Sequence, residues 1–436
     1  MLEPLTAAQT VVQTLGEPKI PSPFKYHQEE VQERHILYDP YWQPGKTCEP
    51  ICFESSLPSA KVYFDPRKVT AAIVTCGGIC PGLNDVIRSI VLRLWHGYGV
   101  RKIFGAQFGL QGFVPEFGLP FLDLTPEAVT DIHELGGTVL GSSRGQQDID
   151  QIVDTLDRQG VNILFVIGGD GSLRAAQKIQ EEVAKRDKKI GVVAVPKTID
   201  NDISFISRSF GFETAVDAAC EAIKCAHAEA KSFPLGIGLV KLMGRYSGFI
   251  AAAAALSQRD VNYVLVPEVD FDLEGPHGLL ADLEERLKLR QHAVIVVAEG
   301  AGQKYFEGAE EKRDASGNLL LQDIGIYLRE QMKTYFKDRD MGINLKYIDP
   351  SYMIRSIPAN TADGLYCATL GQNAVHAAMV GKTGMVVSVW HGVYCNIPIS
   401  LAVSKRKTLH DAGRMWRDVL ESTGQPSFVE GGYNGP

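Results

Sequence analysis

From residue 69 onward the sequence alternates short apolar runs with amphipathic stretches, and glycines and carboxylates gather where the runs stop. Runs at 71–75, 163–167, 190–195, 238–242, 263–266, 293–298 and 384–389 have the length and composition of buried strands. Between them, 83–95 carries Leu83, Val86, Ile87, Ile90, Val91 and Leu94 at helical spacing. Helices are also predicted over 213–231, 279–289 and 363–380, and Thr125-Pro126-Glu127 reads as a helix start. Strands separated by helices require crossover connections, so the sheets are expected to be parallel with both faces covered. No repeat of solenoid length is present.

Residues 1–68 differ in character. They are proline-rich and weakly periodic, and Tyr38-Asp39-Pro40-Tyr41-Trp42-Gln43-Pro44-Gly45 reads as an irregular arm with aromatic anchors. The start Met1-Leu2-Glu3-Pro4 lacks the basic-then-apolar pattern of a secretory signal, and no apolar run is long enough to span a membrane. The 8 cysteines lack the paired spacing of a zinc site, so free thiols in the cytoplasm are expected. A net charge of −8 argues against a nucleic-acid partner but leaves room for local phosphate sites.

Ligands of open α/β sheets bind beyond the carboxyl ends of the strands. Four strand-end loops therefore matter. Cys76-Gly77-Gly78-Ile79-Cys80-Pro81-Gly82 allows close backbone approach to a phosphate, although a plain turn would look the same. Gly168-Gly169-Asp170-Gly171-Ser172 lacks the lysine ending of a Walker A loop. Its glycines can cradle a phosphate chain, and Asp170 offers a hard oxygen to Mg2+. Pro196-Lys197-Thr198-Ile199-Asp200-Asn201-Asp202 places two carboxylates in one loop, and Asp200 suits the proton acceptor of an attacking alcohol. Met243-Gly244-Arg245-Tyr246-Ser247-Gly248 carries Arg245, a clamp for charge on a transferred phosphoryl group. Glu299, Lys346 and Tyr352-Met353-Ile354-Arg355 add groups suited to a sugar phosphate.

Together, Gly168 to Ser172, Lys197 to Asp202, Ser209-Phe210-Gly211-Phe212-Glu213-Thr214-Ala215 and Met243 to Gly248 resemble the phosphofructokinase family, in the family's order, over residues 69–400. The runs Val240 to Arg245 and Tyr352 to Arg355 resemble its long plant-type and kinetoplastid-type branch. The resemblance implies two Rossmann-like α/β/α sandwich domains with mostly parallel sheets and an irregular N-terminal arm. Residues 69–212 with 355–410 would bind nucleotide, and 213–354 with 411–436 the sugar phosphate. It implies ATP contacts at Gly78, Arg144, Gly145, Gly169, Asp170, Gly171 and Ser172, with Mg2+ on Asp170. It places fructose 6-phosphate on Thr198, Ile199, Asp200, Met243, Gly244, Arg245 and Glu299, and its 6-phosphate on Lys346 and the segment Tyr352, Met353, Ile354 and Arg355. Asp200, Arg245 and Thr198 would be the catalytic set.

The family includes ATP and pyrophosphate users. Gly171, where pyrophosphate users carry Asp, implies ATP; Lys197 is shared with pyrophosphate users, but the long ATP-using branch combines this glycine with this lysine. Gly236 departs from short bacterial members, which place there an arginine reaching a neighbouring subunit. Lipid and NAD kinases share a Gly-Gly-Asp-Gly loop but lack the Thr198 to Asp200 and Met243 to Arg245 loops. A catalytically dead regulatory subunit would have lost Asp170, Asp200 or Arg245. The expectation is an ATP-dependent sugar-phosphate kinase of glycolysis, in the cytoplasm, assembled as a homodimer or homotetramer.

Overall fold

The computed structural model describes residues 5–24, 34–41, 50–308, 313, 319–412 and 414–428. Of the aromatic arm, Trp42 to Gly45 lie outside these residues. The chain divides into two units: Met1–Ile199 with Ile203–Gly211 and Ser356–Arg406, and Asp200–Asp202 with Phe212–Arg355 and Lys407–Pro436. Asp200, Asn201 and Asp202 thus group with the second unit.

The first unit is built on a nine-stranded sheet. Its order is His35–Leu37, Cys52–Ser55, Val393–Pro398, Met385–Trp390, Gly191–Pro196, Ile163–Gly168, Thr70–Thr75, Lys102–Ala106 and Phe121–Asp123. The five strands from Met385–Trp390 to Lys102–Ala106 are parallel, and the four outer strands run antiparallel to their neighbours. The strands Ile163–Gly168 and Gly191–Pro196 are buried at every residue, which is why they read as unbroken apolar runs rather than alternations. Register aligns Thr75 with Ile167 and Gly168 with Pro196, so the loops after these three strands leave one sheet edge.

The arm contributes His35–Leu37 and Cys52–Ser55 to this sheet. Tyr38 stacks on Trp390 at 5.6 Å, and the Trp390 indole donates to the Tyr38 carbonyl at 2.9 Å. Helices Leu83–Leu92 and Thr361–Met379 pack closely on each other. Gly371 permits this approach, because a Cβ there would lie 2.7 Å from that of Ser89. The start expected at Thr125 is a turn, with Thr125 Oγ1 accepting from the Ala128 amide at 3.2 Å. The chain continues as turns, and only a 3-10 turn at Ile132–Glu134 forms.

The second unit holds a four-stranded, all-parallel sheet in the order Tyr263–Leu265, His292–Ala298, Gly236–Leu242, Asn344–Ile348. Its core joins Ile237, Leu239 and Ile295 to Leu283 of helix Leu279–Arg290 and to Leu328 and Phe336 of helix Ile324–Lys337. Leu242 pairs with Ala298 and Val240 with Ile348, so the loops after these strands share one edge. No helix among the described residues is long and apolar enough to cross a membrane.

Candidate functional site

In the first unit, Gly77 has φ +83°, a left-handed turn that suits glycine, and it lets Lys197 approach. The Lys197 ammonium donates to the Gly78 carbonyl at 2.5 Å, and the Lys197 amide donates to the Gly168 carbonyl at 2.9 Å. Ser142 Oγ donates to the Gly77 carbonyl at 2.6 Å, and the Gly77 amide to the Ser143 carbonyl at 3.1 Å. Arg144 points its guanidinium at Gly78, within 3.7 Å of where a Cβ would stand. The 76–82, 141–145, 168–172 and 196–199 loops therefore form one backbone-rich cradle with Lys197 at its floor. Burial, only partly offset by the Lys197 charge, pushes the Cys76 thiol up to about 12, so this cysteine is no nucleophile near neutral pH.

Asp170 opens the helix Asp170–Lys185, and its carboxylate receives Arg174 at 3.1 and 3.3 Å. Gly168 is tight against Ser172, whose Cβ lies 2.3 Å from the Cβ position. Gly171 has nothing within 4 Å of its Cβ position, so it borders open space. Thr198 and Ile199 complete this unit's share; Ser209 Oγ donates to the Thr198 carbonyl at 2.5 Å.

In the second unit, Asp200 is held through its carbonyl by Ser247 Oγ at 3.2 Å. Asn201 takes the left-handed φ of +55°. Lys407 braces this turn: its amide donates to the Asp202 carbonyl at 2.9 Å and its ammonium to Asn201 Oδ1 at 3.1 Å. Glu268 accepts from the Gly248 amide and from the Leu409 amide, each at 3.0 Å, fixing the end of the Arg245 loop and the chain after Lys407.

Met243, Gly244 and Arg245 follow the strand Gly236–Leu242, and Glu299 follows His292–Ala298. The Gly300 amide donates to the Gly244 carbonyl at 3.1 Å and the Glu299 amide to the Leu242 carbonyl at 2.9 Å, locking the two loops side by side. Burial raises the Glu299 carboxyl, opposed by the charges of Arg245, Lys241 and Arg355. Arg245 donates to the Leu319 carbonyl, while its Nε is buried without a hydrogen-bond partner among the described residues. The Arg355 Nε is in the same condition, and its guanidinium lies 4.5 Å from the Tyr352 ring. Buried guanidinium donors without acceptors suit an anionic ligand. Tyr352 and Met353 are 75% and 73% exposed, and Ile354 is buried.

Lys346 lies apart from this group. It sits within the strand Asn344–Ile348, 3.9 Å from Glu229 and over the Phe233 ring. Gly236 admits no side chain, since a Cβ would meet the Ala230 carbonyl at 1.9 Å. Lys407, Glu268 and the aspartates 323 and 349 went unnoticed in the sequence. Lys241 does carry a local signal, a lysine inside an otherwise apolar run.

The family model for phosphofructokinase matches residues 70–378. The chain is 56% identical over 388 residues to an ATP-dependent 6-phosphofructokinase of Borreliella burgdorferi, covering 88% of this chain and 87% of that one. It is 50% identical over 383 residues to the chloroplastic ATP-dependent 6-phosphofructokinase 4 of Arabidopsis thaliana, covering 87% and 72%. The crystal structure of a pyrophosphate-dependent phosphofructokinase from Marinobacter aquaeolei aligns with a TM-score of 0.66 at 19% identity, over 83% of this chain and 94% of that one. That likeness concerns the fold alone.

Proposed function

The chain belongs to the phosphofructokinase family, and on that premise we infer that it is an ATP-dependent 6-phosphofructokinase. It transfers the γ-phosphate of ATP to the 1-hydroxyl of fructose 6-phosphate, giving fructose 1,6-bisphosphate and ADP, a step of glycolysis. The observation that carries the reading is 56% identity along 87% of the length of a relative named for this activity. The open space at Gly171 agrees with a nucleotide donor in place of pyrophosphate.

The residue roles are our proposal. Gly78, Arg144, Gly145 and Gly169 to Ser172 line the ATP phosphates, whose negative charge the glycine-rich backbone and Arg144 would meet. Lys197 beneath the cradle marks donor choice together with Gly171. Mg2+ would be held by Asp170, a single carboxylate in place of a cage. Asp170, one carboxylate in the first turn of the helix Asp170–Lys185, suits a Mg2+ that would be held jointly by the protein and the nucleotide phosphates. When bound, Mg2+ supplies positive charge against the β- and γ-phosphates. Asp170 would exchange its Arg174 partner for this ion.

Asp200 takes the proton of the 1-hydroxyl as its oxygen attacks phosphorus, with Thr198 and Ile199 positioning the sugar. Arg245 meets the charge on the moving phosphoryl group. Met243, Gly244 and Glu299 receive sugar hydroxyls; Tyr352 and Arg355 receive the 6-phosphate, and Lys346, beside Glu229 and Phe233, lies apart from them. We also infer a cytoplasmic homodimer or homotetramer; the family resemblance supports the oligomer, and the free cysteines among the described residues accord with a reducing compartment.

The test is an assay of the purified chain with fructose 6-phosphate and either ATP or pyrophosphate, side by side. Turnover with ATP is expected to exceed that with pyrophosphate by at least about 10²-fold, roughly 2.7 kcal/mol in the barrier. Comparable rates with pyrophosphate would overturn the assignment of donor.

A further inference from the structure

One buried charge of the second unit plays no part in the phosphoryl transfer. Lys241 lies in the strand Gly236–Leu242, which is buried at every residue, and its side chain is only 11% exposed. Its ammonium donates to Asp323 Oδ2 at 2.7 Å and pairs with Asp349 Oδ2 at 2.9 Å. Each aspartate uses its other oxygen on the start of a helix. Asp323 Oδ1 accepts from the Ile326 amide at 3.0 Å, capping Ile324–Lys337, and from the Tyr347 hydroxyl at 3.3 Å. Asp349 Oδ1 accepts from the Ser351 amide at 3.2 Å and the Ser351 hydroxyl at 2.6 Å, at the head of the short helix Ser351–Arg355.

A single ammonium thus ties two helix starts to the strand that leads into Met243, Gly244 and Arg245. Burial opposes a charged Lys241, but the two carboxylates outweigh it and hold the ammonium well above its ordinary value, so the link is permanent at physiological pH. The two arms differ in what they carry. Asp323 leads into a helix that packs in the core. Asp349 leads into Tyr352 and Arg355, and Tyr352 and Met353 are largely exposed. Its first residues, buried Ile354 and the packing of its short helix against Phe212–Ser232 anchor this segment.

We propose that Lys241 is a positioning residue for the sugar-phosphate segment: through Asp349 it sets the orientation of residues 350–355, and so the affinity for the phosphorylated sugar, without entering the chemical step. This rests on the proposed function, which gives Tyr352 and Arg355 to the 6-phosphate. The same ammonium also opposes the rise of the Glu299 carboxyl, which ties it electrostatically to the sugar side of the site.

Steady-state kinetics of the full chain test the proposal, with fructose 6-phosphate and ATP varied in turn. For Lys241→Met the KM for fructose 6-phosphate should rise about tenfold or more, with kcat within about threefold and the KM for ATP unchanged. Lys241→Arg, which keeps the charge, should restore most of that affinity. Asp323→Asn, which cuts the other arm, should lower the melting temperature and leave the sugar KM within about twofold of wild type. An unchanged sugar KM in folded Lys241→Met, or a loss confined to kcat, overturns the inference. If Lys241→Met does not accumulate as folded protein, Asp349→Asn carries the same expectation: it keeps an acceptor for Ser351 and loses the ion pair, and an unchanged sugar KM there is equally decisive. A wild-type chain that fails to phosphorylate fructose 6-phosphate would instead remove the reading on which the inference rests.

Discussion

The backbone around Asp200 has its own supports. Ser247 grips its carbonyl, and Lys407 braces the next two residues, so Asp200→Ser should remove a proton acceptor and leave the turn in place. We expect kcat to fall roughly 10²–10⁴-fold with an unchanged melting temperature; near-normal turnover in an ADP-release assay would strip Asp200 of this role. Gly171 allows the converse experiment. Its surroundings are open, and a carboxylate in the first turn of a helix is favourable, so Gly171→Asp should fold as well as wild type. Two like charges a few Å apart are worth up to about 4 kcal/mol near a protein surface, so kcat/KM for ATP should fall at least about tenfold. Retained ATP activity would show that another residue selects the donor. Both residues stood out in the sequence, because paired carboxylates and runs of glycine at strand ends are residue types that packing alone rarely needs there. Lys407, Glu268 and Asp349 were not, since a charged residue on a polar stretch looks the same whether it braces a loop or faces water.

The most apolar strands and several long helices were read from the sequence to within a few residues, but the helices Ile149–Arg158 and Ile324–Lys337 and the strands Lys102–Ala106 and Val393–Pro398 were not. The helix predicted over 213–231 spans Phe212–Ser232, and the strand predicted over 293–298 spans His292–Ala298. Such elements are dictated by burial on one or both faces, which periodicity records directly. Short elements were not legible. His35–Leu37 and Cys52–Ser55 draw their stability from the sheet they join, and a proline-rich sequence cannot announce its neighbours. At this scale the paired loops after Leu242 and Ala298 make a prediction. A Cβ on Gly300 would stand 1.9 Å from the Arg245 carbonyl, and backbone cannot yield as a side-chain tip can. Gly300→Ala should therefore lower stability by about 1–3 kcal/mol. It should also reduce kcat/KM by displacing Arg245. Urea unfolding and kinetics of one preparation would check both, and full activity would mean that the loops can part without harm.

Across the whole molecule the sequence determined more than the class of fold. It pointed to the alternation of strands and helices, to the loops proposed for phosphate chemistry, and to a nucleotide donor, because burial, turn formation and close backbone approach each demand residue types that can be read locally. Interactions between residues far apart in the chain were decided only in the tertiary structure. His376 is an example: on helix Thr361–Met379 it is buried against the Tyr98 hydroxyl, 2.8 Å from Nδ1, and burial, aided by Arg93, lowers its pKa to about 3. The unfolded chain takes up a proton near pH 6.5 while the folded one refuses it, so stability present above that pH is lost as pH falls toward 3. His376→Gln should flatten the acid side of the stability curve by up to about 1.4 kcal/mol per pH unit in that window; an unchanged slope in urea titrations at pH 7 and 5 would refute it. Lys241 is the other example. Its apolar neighbours placed it in a strand, but Asp323 is 82 residues away and nothing local marks it as a partner. An ion pair needs only proximity and a shared burial, and both are properties of the folded chain.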